Sequence, residues 1–420
     1  MNWLVRPLCE VAEVRLGRQR SPKNHHGDSM RPYLRAANVT WSGLRLDDVK
    51  SMNFTREELA TYRLEPGDIL LSEASGSPSE VGKPAIWSGE IADCAFQNTL
   101  IRVRPREHEP RFLLHYFWHQ ALTGKFVEHS RGVGIHHLGR ARLATWPTPV
   151  PPIAEQRRIV ELLEDHLSRL QAAHDYLRTA EQRLDALVTG ILCDLIPDER
   201  SYPASWERRT VADVGTVELG RQRHPDWHVG PNMKPYLRVA NVFENRIDTS
   251  DVMEMHWPNG AFERFRLAAG DILLNEGQTP ELLGRPALYR GDPPEVAFTN
   301  SLLRFKAGTR VVPEFALLVF RRHMRAGRFK RESRITTNIA HLSANRFKRI
   351  EFPVPSHAEQ TAIVKKAESR LEAILRLRSQ LDAVNARRAN LLRSLLAAAF
   401  SGRLTNASSN SSPGRETIEA

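Results

Sequence analysis

Two stretches of the chain repeat apolar residues every seven positions, which is the pattern of a long helix that packs along one side. One column in the first stretch consists of Leu163, Leu170, Leu177, Leu184 and Ile191. A neighbouring column consists of Ile159, His166, Ala173, Ala180 and Leu187. Together the columns alternate steps of four and three residues, as in a coiled coil. The pattern predicts one long helix within residues 151–197.

The second stretch carries the same kind of stripe and predicts a long helix within residues 355–404. Its apolar positions are Ile374, Leu377, Leu381, Val384, Leu391 and Leu395, with Arg388 as the one misfit. A helix of some 40 residues would be about 60 Å long. The first helix is acidic and the second basic, so we expect them to pack on each other as an antiparallel coiled coil. The alternative is that each helix packs on its own neighbouring domain.

The segments before the helices, residues 1–150 and 198–354, read as mixed α and β. Short apolar runs of strand type are bounded by Pro, Gly, Asp and Asn. One helical stretch follows in each segment, at Pro110–Leu122 and Pro313–Arg325, and proline suits the first turn of a helix. The polar residues 405–420 are too poor in apolar side chains to order themselves, so we predict a disordered tail.

The two segments are copies of one another. Leu16–Val39 is identical to Leu219–Val242 at 16 of 24 positions, and similar pairs continue to the hinges before both helices. The fold class expected is therefore α+β, with two similar domains separated by two long helices. Antiparallel helices would relate the domains by an approximate two-fold axis within one chain.

Composition narrows the class of partner. The net charge is +11, which favours a polyanion. No apolar run reaches the length of a membrane span and residue 1 begins no signal peptide, so we expect a soluble, cytoplasmic protein without a membrane partner. Three scattered cysteines fit neither a disulfide framework nor a zinc site.

The motif search finds no convincing catalytic site. There is no phosphate-binding loop, no dinucleotide fingerprint, no zinc-protease motif and no serine nucleophile elbow. A magnesium-dependent nuclease site could only be assembled loosely from these residues: Asp68, Glu73 and Lys83, with Asp271, Glu276 and Arg285 in the second copy. His136 and His137 are a weak metal candidate, because the second copy keeps only His341.

DNA contact is the chemistry that the repeated polar residues fit. Lys and Arg neutralise phosphates, Arg reads guanine, and Asn or Gln reads adenine. The candidates in the first copy are Arg18, Gln19, Arg20, Arg35, Asn38, Lys83, Asn98 and Arg131. Those in the second copy are Arg221, Gln222, Arg223, Arg238, Asn241, Arg285, Asn300, Arg328, Lys330, Arg331 and Arg334. The run Arg321–Arg334 fits a phosphate-facing loop. Each candidate could instead be a surface charge or a structural partner in a turn.

The ordered set of motifs resembles the specificity subunit of type I restriction–modification enzymes, and the resemblance covers nearly the whole chain. Its carriers are the tryptophans Trp3 and Trp206, the Gly-Asp-Ile-Leu strands, the hinges Pro149–Gln156 and Pro353–Gln360, and the close at Ala399–Leu404. The resemblance implies two target recognition domains, and helices that dock methyltransferase subunits. It also implies that this chain is not itself an enzyme. S-adenosylmethionine, ATP and magnesium would then belong to methyltransferase and restriction subunits.

Two recognition domains on one spacer would bind a bipartite double-stranded DNA target, and the length of the helices would set the gap between its halves. Similar domains in a two-fold relation would favour half-sites that partly match as inverted repeats. One alternative keeps DNA recognition but pairs the chain with a fused methyltransferase–nuclease. Another is a coiled-coil scaffold that binds protein, and a stand-alone modification enzyme is disfavoured by the missing cofactor loop. The sequence gives neither the target bases nor the gap length.

Overall fold

The structure is a computed structural model that describes residues 3–128, 136–258, 260–336 and 339–405, without the side chains of residues 334–336. Its helices are α1 (Leu8–Val11), α2 (Arg56–Tyr62), α3 (Pro110–Leu122), α4 (Lys125–Glu128), α5 (Arg140–Ala144), α6 (Ile153–Leu195), α7 (Val211–Val214), α8 (Ala261–Phe265), α9 (Pro313–Arg325), α10 (Arg328–Arg331), α11 (Ala344–Arg349) and α12 (His357–Phe400). The two long helices that the apolar columns predict are thus confirmed as α6 and α12. None of the described helices is long and apolar enough to cross a membrane.

The strands before α6 belong to the first domain. They are β1 (Leu4–Pro7), β2 (Ala12–Leu16), β3 (Met30–Leu34), β4 (Val39–Thr40), β5 (Gly43–Leu44), β6 (Lys50–Asn53), β7 (Ile69–Ser72), β8 (Ala74–Ser75), β9 (Pro84–Ile86), β10 (Ala95–Phe96), β11 (Leu100–Pro105), β12 (His136–His137) and β13 (Pro147–Val150). The main sheet is antiparallel with the order β2-β11-β7-β9, and a smaller sheet has the order β10-β3-β6. Strand β1 pairs with β13, β4 with β5, and β8 with β12.

The strands between α6 and α12 form the second domain. They are β14 (Glu207–Thr210), β15 (Gly215–Leu219), β16 (Met233–Leu237), β17 (Val242–Phe243), β18 (Arg246–Ile247), β19 (Met253–His256), β20 (Ile272–Asn275), β21 (Gly277–Gln278), β22 (Pro286–Leu288), β23 (Ala297–Phe298), β24 (Leu302–Ala307), β25 (Arg334–Thr336), β26 (Ile339–His341) and β27 (Glu351–Val354). The main sheet β15-β24-β20-β22 and the smaller sheet β19-β16-β23 repeat the first domain's topology.

The chain divides into two compact units, each with one domain and part of both long helices. Unit 1 is Met1–Leu177 with Ala383–Ala420, and unit 2 is Arg178–Asp382. In the first domain Ile69 and Leu71 of β7 pack in the core with α3, whereas Leu70 packs in a separate core on the other face of the sheet. Burial on both faces explains why this strand has an unbroken apolar sequence.

A buried glutamine joins each domain to the helix that follows it. Gln156, in the first turn of α6, accepts a hydrogen bond from the backbone N–H of Glu109 (3.0 Å) and donates to the carbonyl of Pro151 (2.9 Å). Gln360 in α12 does the same with Val312 (2.8 Å) and Pro355 (3.0 Å). The N–H groups belong to residues that precede α3 and α9, where a helix start leaves donors unpaired. The amide therefore fixes the start of the long helix against the start of the domain helix.

The long helices run antiparallel within each unit. In unit 2, Arg370 of α12 pairs with Asp194 of α6, and Arg378 pairs with Asp185, so residue numbers rise on one helix as they fall on the other. In unit 1, Leu163 shares a core with Leu396 and Ala399. The eight residues expected at the helix seam are all buried or half-buried: Leu163, Leu170, Leu177, Leu184, Ile191, Ile374, Leu381 and Leu395.

The second column of each predicted stripe is wrong by one residue at most of its positions, although Ile159 is buried and Ala180 half-buried as expected. His166, Ala173 and Leu187 are exposed on α6, and so are Leu377, Val384 and Leu391 on α12. The half-buried or buried positions are Leu167, His174 and Val188 on α6, and Arg378, Asn385 and Leu392 on α12. The predicted second column and the observed one both alternate with the first column in steps of four and three residues. The sequence period alone therefore could not decide between them. The true seam of α12 includes polar residues, which made the wrong choice look more apolar.

Each domain shares an apolar core with the long helices, and individual side-chain contacts at this attachment differ between the units. In unit 1 the Phe400 ring of α12 contacts rings of α3, with centroid distances of 5.5 Å to Phe112 and 5.4 Å to Tyr116. In unit 2, α9 is attached to α6 through the Arg325 guanidinium, which donates to Thr189 (3.2 Å) and to the Asp185 backbone carbonyl (3.2 Å). Unit 1 also has a polar contact, between Arg111 of α3 and Glu164 of α6 (2.7 Å), and in unit 2 α6 and α9 share an apolar core, so the two attachments differ in their individual partners.

His323, on the buried side of α9, should make unit 2 sensitive to acid. Burial, together with the positive charge of Arg322, lowers the pKa of His323 to about 3. Its unfolded pKa is near the ordinary value of about 6.5, so the neutral form contributes stability above that pH, which is lost as the pH falls towards 3. By pH 5 the loss would reach about 2 kcal/mol.

We predict that His323→Gln removes this part of the pH dependence. The first domain carries Gln120 at the equivalent position, so the substitution suits the fold. Unfolding by urea at pH 7 and pH 5 should show the free energy of unfolding falling by about 2 kcal/mol less in the variant than in the parent. An equal fall in both proteins would contradict the assignment.

Candidate nucleic-acid interface

In the first domain the repeated polar residues gather at one edge of the main sheet. Strands β2 and β7 end at this edge and β11 begins there, because Leu16 pairs with Ile101, and Ser72 with Leu100. The residues that follow β2 and β7 therefore meet those that precede β11. We call residues 97–99, and 299–301 in the second domain, the connecting segment.

Backbone hydrogen bonds attach the loops that follow β2 and β7 to the connecting segment. Asn98 N–H donates to the carbonyl of Arg18 (3.0 Å), and Glu73 N–H donates to the carbonyl of Thr99 (2.9 Å). In the second domain Asn300 donates to Arg221 (2.9 Å) and Glu276 to Ser301 (3.0 Å). This edge is therefore built identically twice, and the residues next to these bonds have matching positions.

A glycine lets the loop after β2 cross the connecting segment. A Cβ atom on Gly17 would lie 2.2 Å from the carbonyl oxygen of Gln97, and one on Gly220 would lie 2.3 Å from that of Thr299. No side chain fits at that distance. The Leu-Gly-Arg-Gln-Arg sequence shared by both copies is thus partly a requirement of backbone packing.

Arg18 faces the interior of its own domain. Its guanidinium forms an ion pair with Glu58 (2.7 Å), donates to the backbone carbonyl of Asn53 and lies 4.8 Å from the centre of the Phe54 ring. These bonds hold the loop after β2 against β6 and α2. The predicted DNA contact of Arg18 is therefore replaced by a structural role.

Arg221 has the same role with different partners. Its guanidinium lies 3.8 Å from the ring centre of Trp227 and 4.8 Å from that of Trp257, and it donates to the carbonyl of His256 (3.0 Å). Burial lowers the pKa of Arg221. Both arginines direct the residues that follow them outward.

Asn38 and Asn241 are also structural. Asn38 is 1% exposed; its side-chain oxygen accepts from Arg35 N–H (3.0 Å), and its amide donates to the carbonyls of Arg45 (2.9 Å) and Asp48 (3.1 Å). Asn241 makes the matching three bonds in the second domain. Reading a base would break this set, so we do not carry their predicted DNA contact forward. Arg35 and Arg238 pair with Asp48 and Asp251, next to the same turns.

The residues left at the sheet edge for contact with a partner are few. Gln19 and Arg20 are exposed, as are Gln222 and Arg223, whereas Asn98 and Asn300 are half-buried. Arg20 Nε donates to His25 Nε2 (3.1 Å), which leaves donors of its guanidinium facing outward. For these residues DNA contact stays a prediction.

The loose nuclease site does not form. Asp68 precedes β7 and Glu73 follows it, so they lie at opposite ends of the strand, and Asp68 pairs with Arg104 (2.7 Å). Lys83 pairs with Glu80, and Arg285 lies 4.5 Å from the ring centre of Phe243. Among the described residues no group of three His, Cys, Asp or Glu side chains could hold a metal ion.

The basic run Arg321–Arg334 is not the loop that its charge suggests. Its first part is the end of α9, where Arg321 and Arg325 pair with the half-buried Glu244 (2.9 and 2.6 Å). Burial alone would raise the pKa of Glu244, but the two guanidiniums hold it below its usual range. Arg322 pairs with Asp198 (3.3 Å), also within unit 2.

The rest of the run divides into paired and exposed residues. Arg328 pairs with Glu199 (3.1 Å), whereas Lys330 and Arg331 are exposed and Lys330 pairs with Glu281 (3.2 Å). The Arg334 side chain and the whole of Arg131 lie outside the described residues. The seven basic residues of the run are thus spread over α9, α10 and β25, and five of them pair with acids inside unit 2.

Sequence reasoning missed one pair at the sheet edge. His137 Nδ1 lies 3.1 Å from the carboxylate of Glu73, and His341 Nδ1 lies 3.2 Å from that of Glu276. The histidines come from β12 and β26, which pair with β8 and β21 directly after the glutamates. The signal that could have revealed them was identity at matching positions in both copies.

Comparison with known proteins agrees with this architecture. Residues 1–175 match the family model of the type I restriction modification DNA specificity domain. The chain is 23% identical to the type I restriction enzyme EcoKI specificity subunit of Escherichia coli strain K12, over 96% of this chain and 89% of that protein. It is 24% identical to the putative type I restriction enzyme MjaX specificity subunit of Methanocaldococcus jannaschii, over 53% of each.

The fold has a counterpart among solved structures. One chain, from a study of complex assembly and conformational transition of the type I R-M system, superposes with a TM-score of 0.65 at 16% identity, covering 96% of this chain and 98% of that one. Its likeness concerns the fold, and the sequence matches carry the assignment. Together, the family model over residues 1–175 and the sequence matches over nearly the whole chain support a type I restriction–modification specificity subunit.

Proposed function

We propose that this chain selects the DNA target of a type I restriction–modification complex by reading two short half-sites, one with each domain. The observation that carries the proposal is the repeated sheet edge. Both domains present Gln and Arg at the same two exposed positions, next to an Asn at a third. Two equal reading surfaces on one chain suit a target with two halves.

The chemistry of the edge supports duplex DNA as the ligand. Arginine can bind phosphate or the guanine edge, and Gln and Asn can bind adenine through two hydrogen bonds. The excess positive charge would add the non-specific attraction that keeps a protein on DNA. In this proposal the paired helices α6 and α12 act as the spacer that sets the gap between half-sites.

We further propose that the long helices dock methyltransferase subunits. Outside the seam between them, α6 and α12 carry exposed large apolar side chains: Tyr176, Leu187, Leu377, Val384 and Leu391. Leu187 lines an open groove with Gly190 and Ile191 of α6. Exposed apolar groups on a helix that also packs internally are suited to a protein partner. Catalysis, with S-adenosylmethionine, ATP and magnesium, would belong to the partner subunits.

Removing the exposed arginines should weaken DNA binding without unfolding the chain. We predict that Arg20→Ala and Arg223→Ala each lower affinity for a target duplex about tenfold. If the contact is to phosphate, the slope of log K against log salt should also fall by about 1. Fluorescence anisotropy between 50 and 200 mM salt measures both. Arg376→Ala, on an exposed face of α12, is the matched control, and an equal loss in all three variants would contradict the proposal.

Shortening the paired helices should shorten the gap in the target. In unit 1 Arg158 bonds to Thr405 and Leu163 packs with Leu396 and Ala399, and continuing this register sets residues 170–176 opposite 387–393. Deleting both segments removes about 10 Å of helix, or about three base pairs of DNA. Because the deleted segments include Tyr176 and Leu391, the measurement is DNA binding by the chain itself: duplexes that it selects from a random library should show the same half-sites with a shorter gap. Selection of the original gap would refute the spacer role.

A charge on the exposed apolar face should weaken methyltransferase docking. We predict that Leu187→Asp and Leu391→Asp each weaken the complex at least tenfold, because a carboxylate would be buried without a partner. Gln182→Asp places the same charge about 140° around α6 from Leu187 and should leave affinity unchanged. Titration calorimetry with the purified methyltransferase subunit gives the dissociation constants. Equal affinity of all three variants would count against this surface.

A further inference from the structure

The Glu–His pair at the sheet edge occurs in both domains with nearly the same geometry. Glu73 is 16% exposed and its partner His137 is 52% exposed, and the second domain has 23% for Glu276 and 47% for His341. In each pair the carboxylate is thus largely shielded by its own domain, while the imidazole lies at the surface. The pair lies at the same sheet edge as the exposed Gln and Arg residues, because the loops that carry them are bonded to one connecting segment.

Backbone bonds fix each pair to the rigid part of its domain. Leu138 N–H donates to the carbonyl of Glu73 (2.7 Å), and Leu342 N–H donates to that of Glu276 (2.8 Å). Each glutamate is also bonded to the connecting segment through its own N–H, as described above. The glutamate is therefore held from two sides at the backbone and through its carboxylate by histidine. A side chain held so firmly can recognise a ligand with little loss of entropy.

A shielded carboxylate at a DNA surface is suited to bases and not to phosphates. A negative charge near the backbone would be repelled by phosphate, so a glutamate at such a surface needs a hydrogen-bond donor as its partner. In the major groove, the donor that Glu and Asp recognise is the N4 amino group of cytosine. Arg20 and Arg223, which are exposed at the same sheet edges as Glu73 and Glu276, could neutralise the flanking phosphates.

We propose that Glu73 and Glu276 each accept a hydrogen bond from the N4 amino group of a cytosine, one in each half-site. His137 and His341 are positioning residues, because each donates from Nδ1 to the carboxylate and sets its orientation. The inference rests on the proposed function and adds the base that the two half-sites share. Both halves of the target then contain a G·C pair at equivalent positions.

The test compares base preference in single variants. Glu73→Gln and Glu276→Gln are each co-expressed with the methyltransferase subunit, and methylated bases are mapped genome-wide. Glu73→Gln should relax or change one position in one half-site only, and Glu276→Gln the equivalent position in the other. The change should lower methylation at the cytosine-containing site about tenfold to a hundredfold relative to other bases there. Unchanged motifs in both variants would overturn the inference.

Two controls separate base reading from a structural role of the pair. Glu90→Gln removes the same charge from an exposed loop after β9, at the other end of the sheet, and should leave the motif unchanged. His137→Asn should weaken the preference at the same position as Glu73→Gln, because the carboxylate loses its orientation. A general loss of methylation at all positions, with a lowered melting temperature, in both Glu73→Gln and His137→Asn would show a structural pair and overturn the proposal.

The proposed function and this inference fail in different ways. If the parent chain directs methylation to a target that is not bipartite, the proposed function fails whatever the variants do. If the parent target is bipartite but neither half contains a G·C pair that responds to the variants, only the assignment of the glutamates fails.

Discussion

The buried glutamine at the start of each long helix is the interaction on which the rest of the structure depends. Gln156 and Gln360 bond the first turn of α6 and α12 to the start of a helix in the preceding domain. Their amides are enclosed, so a lost bond would leave a donor or acceptor unsatisfied, at a cost of about 1–3 kcal/mol. The direction of each helix relative to its domain is thereby fixed, which the proposed spacer role of the helices requires.

Features set by periodicity were predictable from the sequence, and features set by packing were not. The column from Leu163 to Ile191 was predicted correctly because its seven-residue spacing is the same whichever second column is paired with it. The second column was misplaced because Arg378 and Asn385 occupy the seam, where an apolar residue was expected. Arg18 and Arg221 were recognised as important but given the wrong role, since identity between copies does not separate buried partners from exposed readers. The prediction that the basic run Arg321–Arg334 is a phosphate-facing loop was wrong for the same reason. The acids that pair with it, such as Glu244, are distant in sequence.

Within each domain the duplication preserves the backbone and leaves the surface free to differ. Gly17 and Gly220 permit the same close crossing, and the connecting segments make the same bonds. Between β7 and β9 the copies differ, with Ser72–Lys83 in one and Asn275–Arg285 in the other. A rigid edge flanked by variable loops is a common way to change specificity without changing stability.

The contrast between the two attachments has a consequence for how such proteins exchange parts. Both domains share an apolar core with the long helices, but the first adds the Phe400 ring and an Arg111–Glu164 pair, whereas the second adds an Arg325–Asp185 pair. A domain moved by recombination into the other position would lose its own partner on α6, because Asp185 pairs with Arg325 of the second domain and Glu164 with Arg111 of the first. Inheritance of new specificities should therefore favour replacement in place, with each domain drawn from the same half of a related gene.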